Sequence, residues 1–300
     1  MTAHRPGRRL GDWLELVRGP AVLTVLGDTV AGAAAAGRPL RGRRSALPLA
    51  SAALYGAGMA LNDWADRTAD AEERPERPVP SGRIAPWAAL TAAAALGGAG
   101  LALAAYAGGR DALTVAAALA GAIGAYDTVL KPTRAAPLGM AVCRGLDVLL
   151  GAGAGRAASA RTPALALAVH TFGVTAQSRG EVRGGRRSDA GTALAATAVA
   201  TALTCLGPTP SRRHRTGAVV CAAVYAGATG AAQLTAATAR DAGAGLLAPD
   251  AVRAATVAGI QGMAPLQAGL AARSGRLAEA ALVLSALPLI RRLSSERSPT

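Results

Sequence analysis

The sequence is organised around a short acidic stretch that directly follows an apolar run. The stretch reads Asn62-Asp63-Trp64-Ala65-Asp66-Arg67-Thr68-Ala69-Asp70. Only 18 of the 300 residues are acidic, and six of them fall between positions 63 and 76. On a helix, Asp63, Asp66 and Asp70 are three and four residues apart, so their carboxylates share one face. The spacing predicts either a Mg²⁺–diphosphate site, since Mg²⁺ favours carboxylate and phosphate oxygens, or a solvated helix end whose acids pair with local arginines.

The distribution of charge indicates the fold class. Apolar residues make up 51% of the chain and the mean hydropathy is only +0.30, which a soluble Ala-rich protein could also show. Uncharged runs nevertheless cover residues 84–109, 162–178, 190–211, 216–239 and 254–272. These lengths match the roughly 17–25 residues of a spanning helix, and small residues favour close helix packing in a bilayer. We predict an all-α, polytopic transmembrane bundle.

Nine spans are expected, with a tenth left open. They are placed at residues 14–36, 45–61, 86–107, 112–130, 138–155, 163–178, 190–206, 217–239 and 254–271. The last apolar piece, 277–290, is short for a span. The chain is expected to be a single integral-membrane domain over 1–300, with residues 1–13 as a cytoplasmic leader and 291–300 as a polar tail.

The basic residues argue against a nucleic-acid partner. The net charge is +14, yet 31 of the 32 basic residues are arginines spread over nearly every short loop, without interleaved aromatics. That distribution fits loops facing anionic lipid headgroups. The three cysteines and His170 lie in apolar runs without a CxxC pair, so they are expected to pack in the core and not to hold zinc or a disulfide.

Span parity places two polar loops on one face. The loops at 62–85 and 179–189 are separated by four spans, and Lys131 falls on the same side. A slight excess of basic residues assigns that side to the cytoplasm of a multi-pass cell-membrane protein. The predicted cleft combines carboxylates with cations that could neutralise a phosphate: Asp63, Asp66, Asp70 and Glu181 with Arg77, Lys131, Arg183, Arg186 and Arg187.

Ionisable residues within the spans are the second group of candidates, because they are costly in a membrane. Arg144 and Asp147 are three apart in the fifth span, either as pocket residues or as a self-compensating pair. Asp28 in the first span is either a pocket residue or a partner of Arg144. The Tyr126 ring could steady a cation, and Asp127 is expected to hold Lys131 or Arg134.

The acidic stretch and the residues that follow it resemble the first aspartate-rich motif of the UbiA superfamily of membrane prenyltransferases. The resemblance rests on Asn62-Asp63-x-x-Asp66-x-x-x-Asp70, on Arg77-Pro78-x-x-Ser81-Gly82-Arg83-Ile84, and on the Tyr126–Lys131 segment. Two further segments are most similar to the EboC-like, actinobacterial branch: Cys143-Arg144-Gly145-Leu146 and Ser178-Arg179-Gly180-Glu181-Val182.

The resemblance implies nine transmembrane helices around a central cavity. It also implies Mg²⁺-dependent transfer of an isoprenyl group from a prenyl diphosphate to a lipophilic, commonly aromatic, acceptor. Asp63, Asp66, Asp70 and Glu181 would be the metal ligands, and with Lys131 the catalytic residues. Asn62, Arg77, Lys131, Arg183 and Arg187 would hold the diphosphate. Asp28, Tyr126, Arg144 and Asp147 would line the acceptor pocket.

The chain departs from the family pattern in the second aspartate motif. Glu181 stands for the first aspartate, but Gly185 takes the place of the second. Arginines could replace the charge of a second ion, or turnover could be lost. The alternative function is a catalytically degenerate membrane protein that binds an isoprenoid or serves as a partner scaffold. A transporter is disfavoured because the polar residues gather on one face and not at mid-membrane.

Overall fold

The computed structural model describes residues 6–181, 184–239, 246–289 and 292. These residues form eleven α-helices, connected by short 3₁₀ segments and one π-helical turn. The helices are α1 (Pro6–Leu16), α2 (Leu23–Ala35), α3 (Leu47–Ala65), α4 (Arg67–Glu73), α5 (Pro86–Ala125), α6 (Ala136–Ala152), α7 (Arg161–Ser178), α8 (Arg187–Cys205), α9 (Arg212–Thr238), α10 (Pro249–Arg273) and α11 (Leu277–Ser285). The all-α prediction is confirmed.

The first predicted span was wrong in its extent. Residues 14–36 do not form one helix, because the chain breaks at Arg18, whose φ is +47°, and passes through a 3₁₀ segment at Gly19–Val22. Positive φ is rare for residues other than glycine, so a continuous helix cannot run through Arg18. Leu14 instead belongs to α1, and the buried helix α2 begins at Leu23.

Helix α5 contains the third and fourth predicted spans and is broken at Gly109. At Gly109 the φ of 62° and ψ of −148° lie in a region that only glycine populates readily. Both halves pack on α3: a Cβ added to Gly100 would lie 2.7 Å from Leu54 Cγ, and one added to Gly58 would lie 3.0 Å from Ile123 Cγ2. The chain therefore returns along α3 after Gly109, as two antiparallel spans require.

Close contact between α2 and α6 forms the centre of the bundle. A Cβ added to Gly32 would lie 1.8 Å from the Val148 carbonyl oxygen, and one added to Gly151 would lie 2.0 Å from that of Thr29. Side chains at these two glycines would force the helices apart. After α6 the chain turns by 112° near Gly153 and packs α7 against α6.

Two of the described helical segments are long and apolar enough to cross a membrane by themselves, Pro86–Leu130 and Arg212–Thr238. The bent pair Ala136–Ala152 and Ala154–Ser178 is a third if it counts as one span. Leu23–Ala35 and Leu277–Leu289 are shorter apolar helices.

Candidate functional site: a carboxylate cavity above an apolar pocket

The acidic stretch lies where α3 passes into α4. Helix α3 ends at Ala65, but Asp66 N–H donates to the Asn62 carbonyl at 2.9 Å and Asp70 N–H donates to that of Asp66 at 2.8 Å. The helical path therefore continues through the junction. As a result Asp66 and Asp70 line the same cavity, with Asn62 beside them.

Arg77 connects two of the three carboxylates. Its Nη1 donates to Asp70 Oδ2 at 2.6 Å and lies 3.5 Å from Asp63 Oδ1. Arg18 Nη2 lies 4.0 Å from the same oxygen of Asp63. Asp63 and Asp70 are buried, so these cations offset much of the cost of removing their charge from water. Sequence reasoning missed Arg18; its only signal was a charge at the start of an apolar run.

The third carboxylate, Asp66, pairs with Lys131 Nζ. Lys131 follows the π-helical turn Tyr126–Leu130, and its N–H donates to the Tyr126 carbonyl at 2.9 Å. Asp127, in that turn, accepts a hydrogen bond from Asn62 Nδ2 at 3.2 Å. The expectation that Asp127 holds Lys131 or Arg134 was therefore wrong, because the turn directs Asp127 towards α3 and leaves Lys131 to Asp66.

These groups surround a cavity of about 590 Å³. Its lining includes Asn62, Asp66, Asp70, Arg77, Tyr126 and Lys131 from the predicted set, together with Arg18 and Asp127. Carboxylates, an amide and four cations (Arg18, Arg74, Arg77 and Lys131) therefore meet in one space. Such a combination can bind an anion through both a divalent cation and direct hydrogen bonds.

A second, smaller cavity of about 80 Å³ lies beside the first. The two share Met59, Tyr126, Asp127 and Met140 as lining residues. The smaller cavity is mainly apolar, with Arg144 and Asp147 among its few polar residues. Tyr126, Arg144 and Asp147 therefore occupy the pocket region that the sequence suggested, and Tyr126 stands between the two spaces.

Asp28 is the partner of Arg144, which is the second of the two roles expected for it. It is fully buried, accepts from Arg144 Nη1 at 2.6 Å and from Gln267 Nε2 at 2.7 Å, and does not line the smaller cavity. Arg144 therefore pairs with Asp28, and Asp147 instead accepts from Ser51 Oγ at 2.7 Å. Ser51 was not predicted, since a lone serine in an apolar run gives no signal.

The described residues of the second motif do not line this cavity. Among the described residues Glu181 and Arg187 do not line it, and Arg183 lies outside the described residues. Gly185 is buried and forms a bridge with Leu247; a Cβ at Gly185 would lie 3.0 Å from Val252 Cγ2. Packing thus occupies the position where the family pattern has a second aspartate, and the metal role of Glu181 stays a prediction.

The donor set suits a hard divalent cation such as Mg²⁺, which prefers oxygen ligands. Asp66 and Asp70 supply carboxylate oxygens at the cavity, Asp63 lies behind them on Arg77, and the buried Asn62 Oδ1 has no hydrogen-bond partner. Within the described ranges, no three acidic, His or Cys side chains already converge on one point, because Arg77 and Lys131 hold the carboxylates. A bound metal ion would therefore compete with these two cations for the carboxylates.

The loop after α4 is fastened from the outside by Arg83. Its guanidinium donates to Glu15 at 2.8 and 3.0 Å, to Asp12 Oδ1 at 2.5 Å and to the Glu76 carbonyl at 2.6 Å. These hydrogen bonds, that to Glu15 first, raise the pKa of Arg83 above its ordinary value. Arg83 thereby fixes the loop that carries Arg77.

The fold and the cavity define a helical membrane protein with a cavity lined by carboxylates and cations. The sequence profile of the UbiA prenyltransferase family matches residues 22–256, and the chain therefore belongs to this family.

Digeranylgeranylglyceryl phosphate synthase of Methanothrix thermoacetophila is 42% identical over 86 residues. That match spans 28% of this chain and 32%, about a third, of the relative's length. The fold is also similar to an apo UbiA homolog from Aeropyrum pernix K1 (TM-score 0.66, 19% identity, 83% of this chain and 96% of that one). A UbiA homolog from Archaeoglobus fulgidus, bound to DMAPP and Mg²⁺, has a TM-score of 0.60 at 16% identity, covering 86% and 99%.

Proposed function

We propose that this protein transfers an isoprenyl group from a prenyl diphosphate to a lipophilic or aromatic acceptor within the membrane, with Mg²⁺ as cofactor. The observation that carries the proposal is that the two cavities are adjacent. A polar cavity with carboxylates and cations lies beside an apolar one, and Tyr126 and Met140 line both. A diphosphate with an apolar tail needs these two environments side by side.

The diphosphate would lie in the larger cavity. Asp63, Asp66 and Asp70, with Asn62 beside them, would hold Mg²⁺, which supplies Lewis-acid stabilisation of the leaving group. Arg77 and Lys131, once released from these carboxylates, would donate to the remaining diphosphate oxygens, as would Arg18. Arg183 and Arg187 are also proposed to bind the diphosphate, and Glu181 is proposed to be a residual ligand of a second Mg²⁺.

The reaction breaks the allylic C–O bond, and the electron pair leaves with the diphosphate. Arg77 and Lys131 stabilise that developing charge, which is usually the largest catalytic contribution. The Tyr126 ring, between the two cavities, faces the carbon that becomes electron-poor. The acceptor, lying towards Arg144 and Asp147, supplies the electron pair of the new bond and loses a proton.

Three further assignments belong to the same proposal. The site loops are proposed to be cytoplasmic in a bacterial cell membrane, from the weak bias of the basic residues. The chain is proposed to belong to the EboC-like branch, from the segments around Arg144 and Glu181. The protein is proposed to be a single membrane domain over 1–300.

The test is diphosphate release by purified protein in lipid nanodiscs. Geranyl, farnesyl and geranylgeranyl diphosphate are supplied in turn with Mg²⁺ and a lipid extract as the source of acceptor. We expect turnover with at least one donor, and a loss of about a hundredfold or more in Asp66→Asn. Asp111→Asn, beside the Gly109 break and paired with Arg38, is the matched control. Failure of all three donors to bind would refute the proposal.

A further inference from the structure

Helix α1 presents three different faces. Leu16 is fully buried, in a cluster with Ala60, Val79, Ile84 and Ala89. Asp12 and Glu15 face Arg83. Leu10, Trp13 and Leu14, spaced as one side of a helix, are 65%, 40% and 45% exposed. The last face is apolar and is partly open, Leu10 most of all.

The position of α1 relative to the bundle identifies what covers this face. Leu16 packs in the same cluster as Ala89, in the first turn of the spanning helix α5. Trp87, in that same turn, is 72% exposed. Tryptophan at the end of a spanning helix is typical of the membrane–water interface. Helix α1 therefore lies at the level where the lipid headgroups begin.

We propose that α1 is an interfacial helix whose Leu10–Trp13–Leu14 face is inserted into the lipid surface on the side of the carboxylate cavity. The partner is the bilayer interface and not another protein. Amphipathic helices with leucine and tryptophan on one face and basic residues beside them bind in this way. The sequence of α1 supplies the basic residues as Arg8 and Arg9.

Arg83 gives the inserted helix a connection to the site. It bonds Asp12 and Glu15 of α1 on one side and the Glu76 carbonyl on the other. Glu76 immediately precedes Arg77, which holds Asp63 and Asp70. The lipid surface thus anchors the outer end of the loop that positions Arg77. This inference stands on α1 alone and does not depend on the proposed function.

Tryptophan fluorescence tests the proposal directly, because the chain contains only three tryptophans. The Trp64→Phe/Trp87→Phe variant leaves Trp13 as the single reporter. In nanodiscs with brominated phosphatidylcholine, bromine near the headgroup should quench Trp13 about twofold more than bromine near the acyl terminus, because interfacial helices insert shallowly. Trp13→Phe/Trp64→Phe, with Trp87 alone, provides the reference for interfacial depth.

Two outcomes would overturn the proposal. If neither brominated lipid quenches Trp13 fluorescence but aqueous iodide does, α1 lies in water. Stronger quenching by the deep bromine would place Trp13 in a span. A second variant, Leu10→Ser/Leu14→Ser in the Trp13-only protein, should lose most of the shallow quenching, while the thermal unfolding temperature of the bundle stays within a few degrees. Retained quenching would show that the leucines do not anchor the helix.

Discussion

Arg144 on α6 and Asp28 on α2 form an ion pair in the middle of the bundle, with Nη1 and Oδ2 2.6 Å apart. Asp28 is fully buried, and its other oxygen accepts from Gln267 on α10 at 2.7 Å. One carboxylate therefore joins three helices. A buried pair adds little net stability over apolar residues, but leaving one partner alone is costly.

Removing one partner of this pair should destabilise the bundle. We expect Asp28→Asn to lower the free energy of unfolding by about 3–5 kcal/mol, since it leaves Arg144 buried without its counter-charge. The double variant Asp28→Leu/Arg144→Met should recover a large part of the loss. Thermal unfolding in detergent measures both.

The control for that comparison is the exposed pair of Arg38 and Asp111, 3.7 Å apart. Asp111→Asn should change the unfolding free energy by about 1 kcal/mol or less, as is usual for surface pairs. Equal losses at Asp28 and Asp111 would contradict the role assigned to the buried pair.

Arg77 should contribute mainly to donor binding. We expect Arg77→Gln to raise the dissociation constant of a non-reactive prenyl thiodiphosphate by about tenfold or more, the value of a lost hydrogen bond to a charged group. Arg77→Lys should restore part of the affinity, because it keeps the charge without the guanidinium geometry. Titration calorimetry in nanodiscs measures the constant. An unchanged constant in Arg77→Gln would remove Arg77 from the diphosphate site.

Gly109 should be required for its backbone conformation alone. Nothing lies within 4 Å of a Cβ added there, so the cost of Gly109→Ala comes from the φ of 62° and should be about 1–3 kcal/mol. Gly98→Ala is the matched control: its position in the same helix is equally open, without a positive φ. Unfolding temperatures that fall equally in both variants would show that the break does not need glycine.

Glu181 provides a test of the second motif. Since it does not line the carboxylate cavity, we expect Glu181→Gln to lower turnover by less than about tenfold, well below the loss in Asp66→Asn. Initial rates of diphosphate release at saturating Mg²⁺ compare the two. A loss equal to that of Asp66→Asn would show that Glu181 reaches the donor during the reaction.

The sequence predicted the helices well where charge interrupts apolar runs. Spans 86–107 and 112–130 flank the break at Gly109, since a glycine followed by Arg110 and Asp111 ends an apolar run clearly. The break at Arg18 was missed, because a single arginine in an apolar run gives no indication of a positive φ. Residues 1–13 were expected to be a cytoplasmic leader, and helix α1 was not predicted.

The candidate site was predictable where its residues are close in sequence. Asp63, Asp66, Asp70 and Arg77 were identified from spacing and resemblance. The pairing of Asn62 with Asp127, and of Asp66 with Lys131, spans 65 residues in both cases. Such pairings follow from how α3 packs along the second half of α5, which no local pattern records.

In this structure the carboxylates of Asp63, Asp66 and Asp70 are paired with Arg77, Lys131 and, at 4.0 Å, Arg18. A divalent cation would compete with those side chains for the carboxylates, and these same side chains are the ones proposed to hold the diphosphate. Binding of the metal ion and binding of the prenyl diphosphate are therefore positively cooperative. Each ligand raises the affinity for the other by the same factor. Separately, each should bind weakly. The protein would assemble its ternary complex as a unit, and a prenyl diphosphate arriving without the ion would leave unreacted.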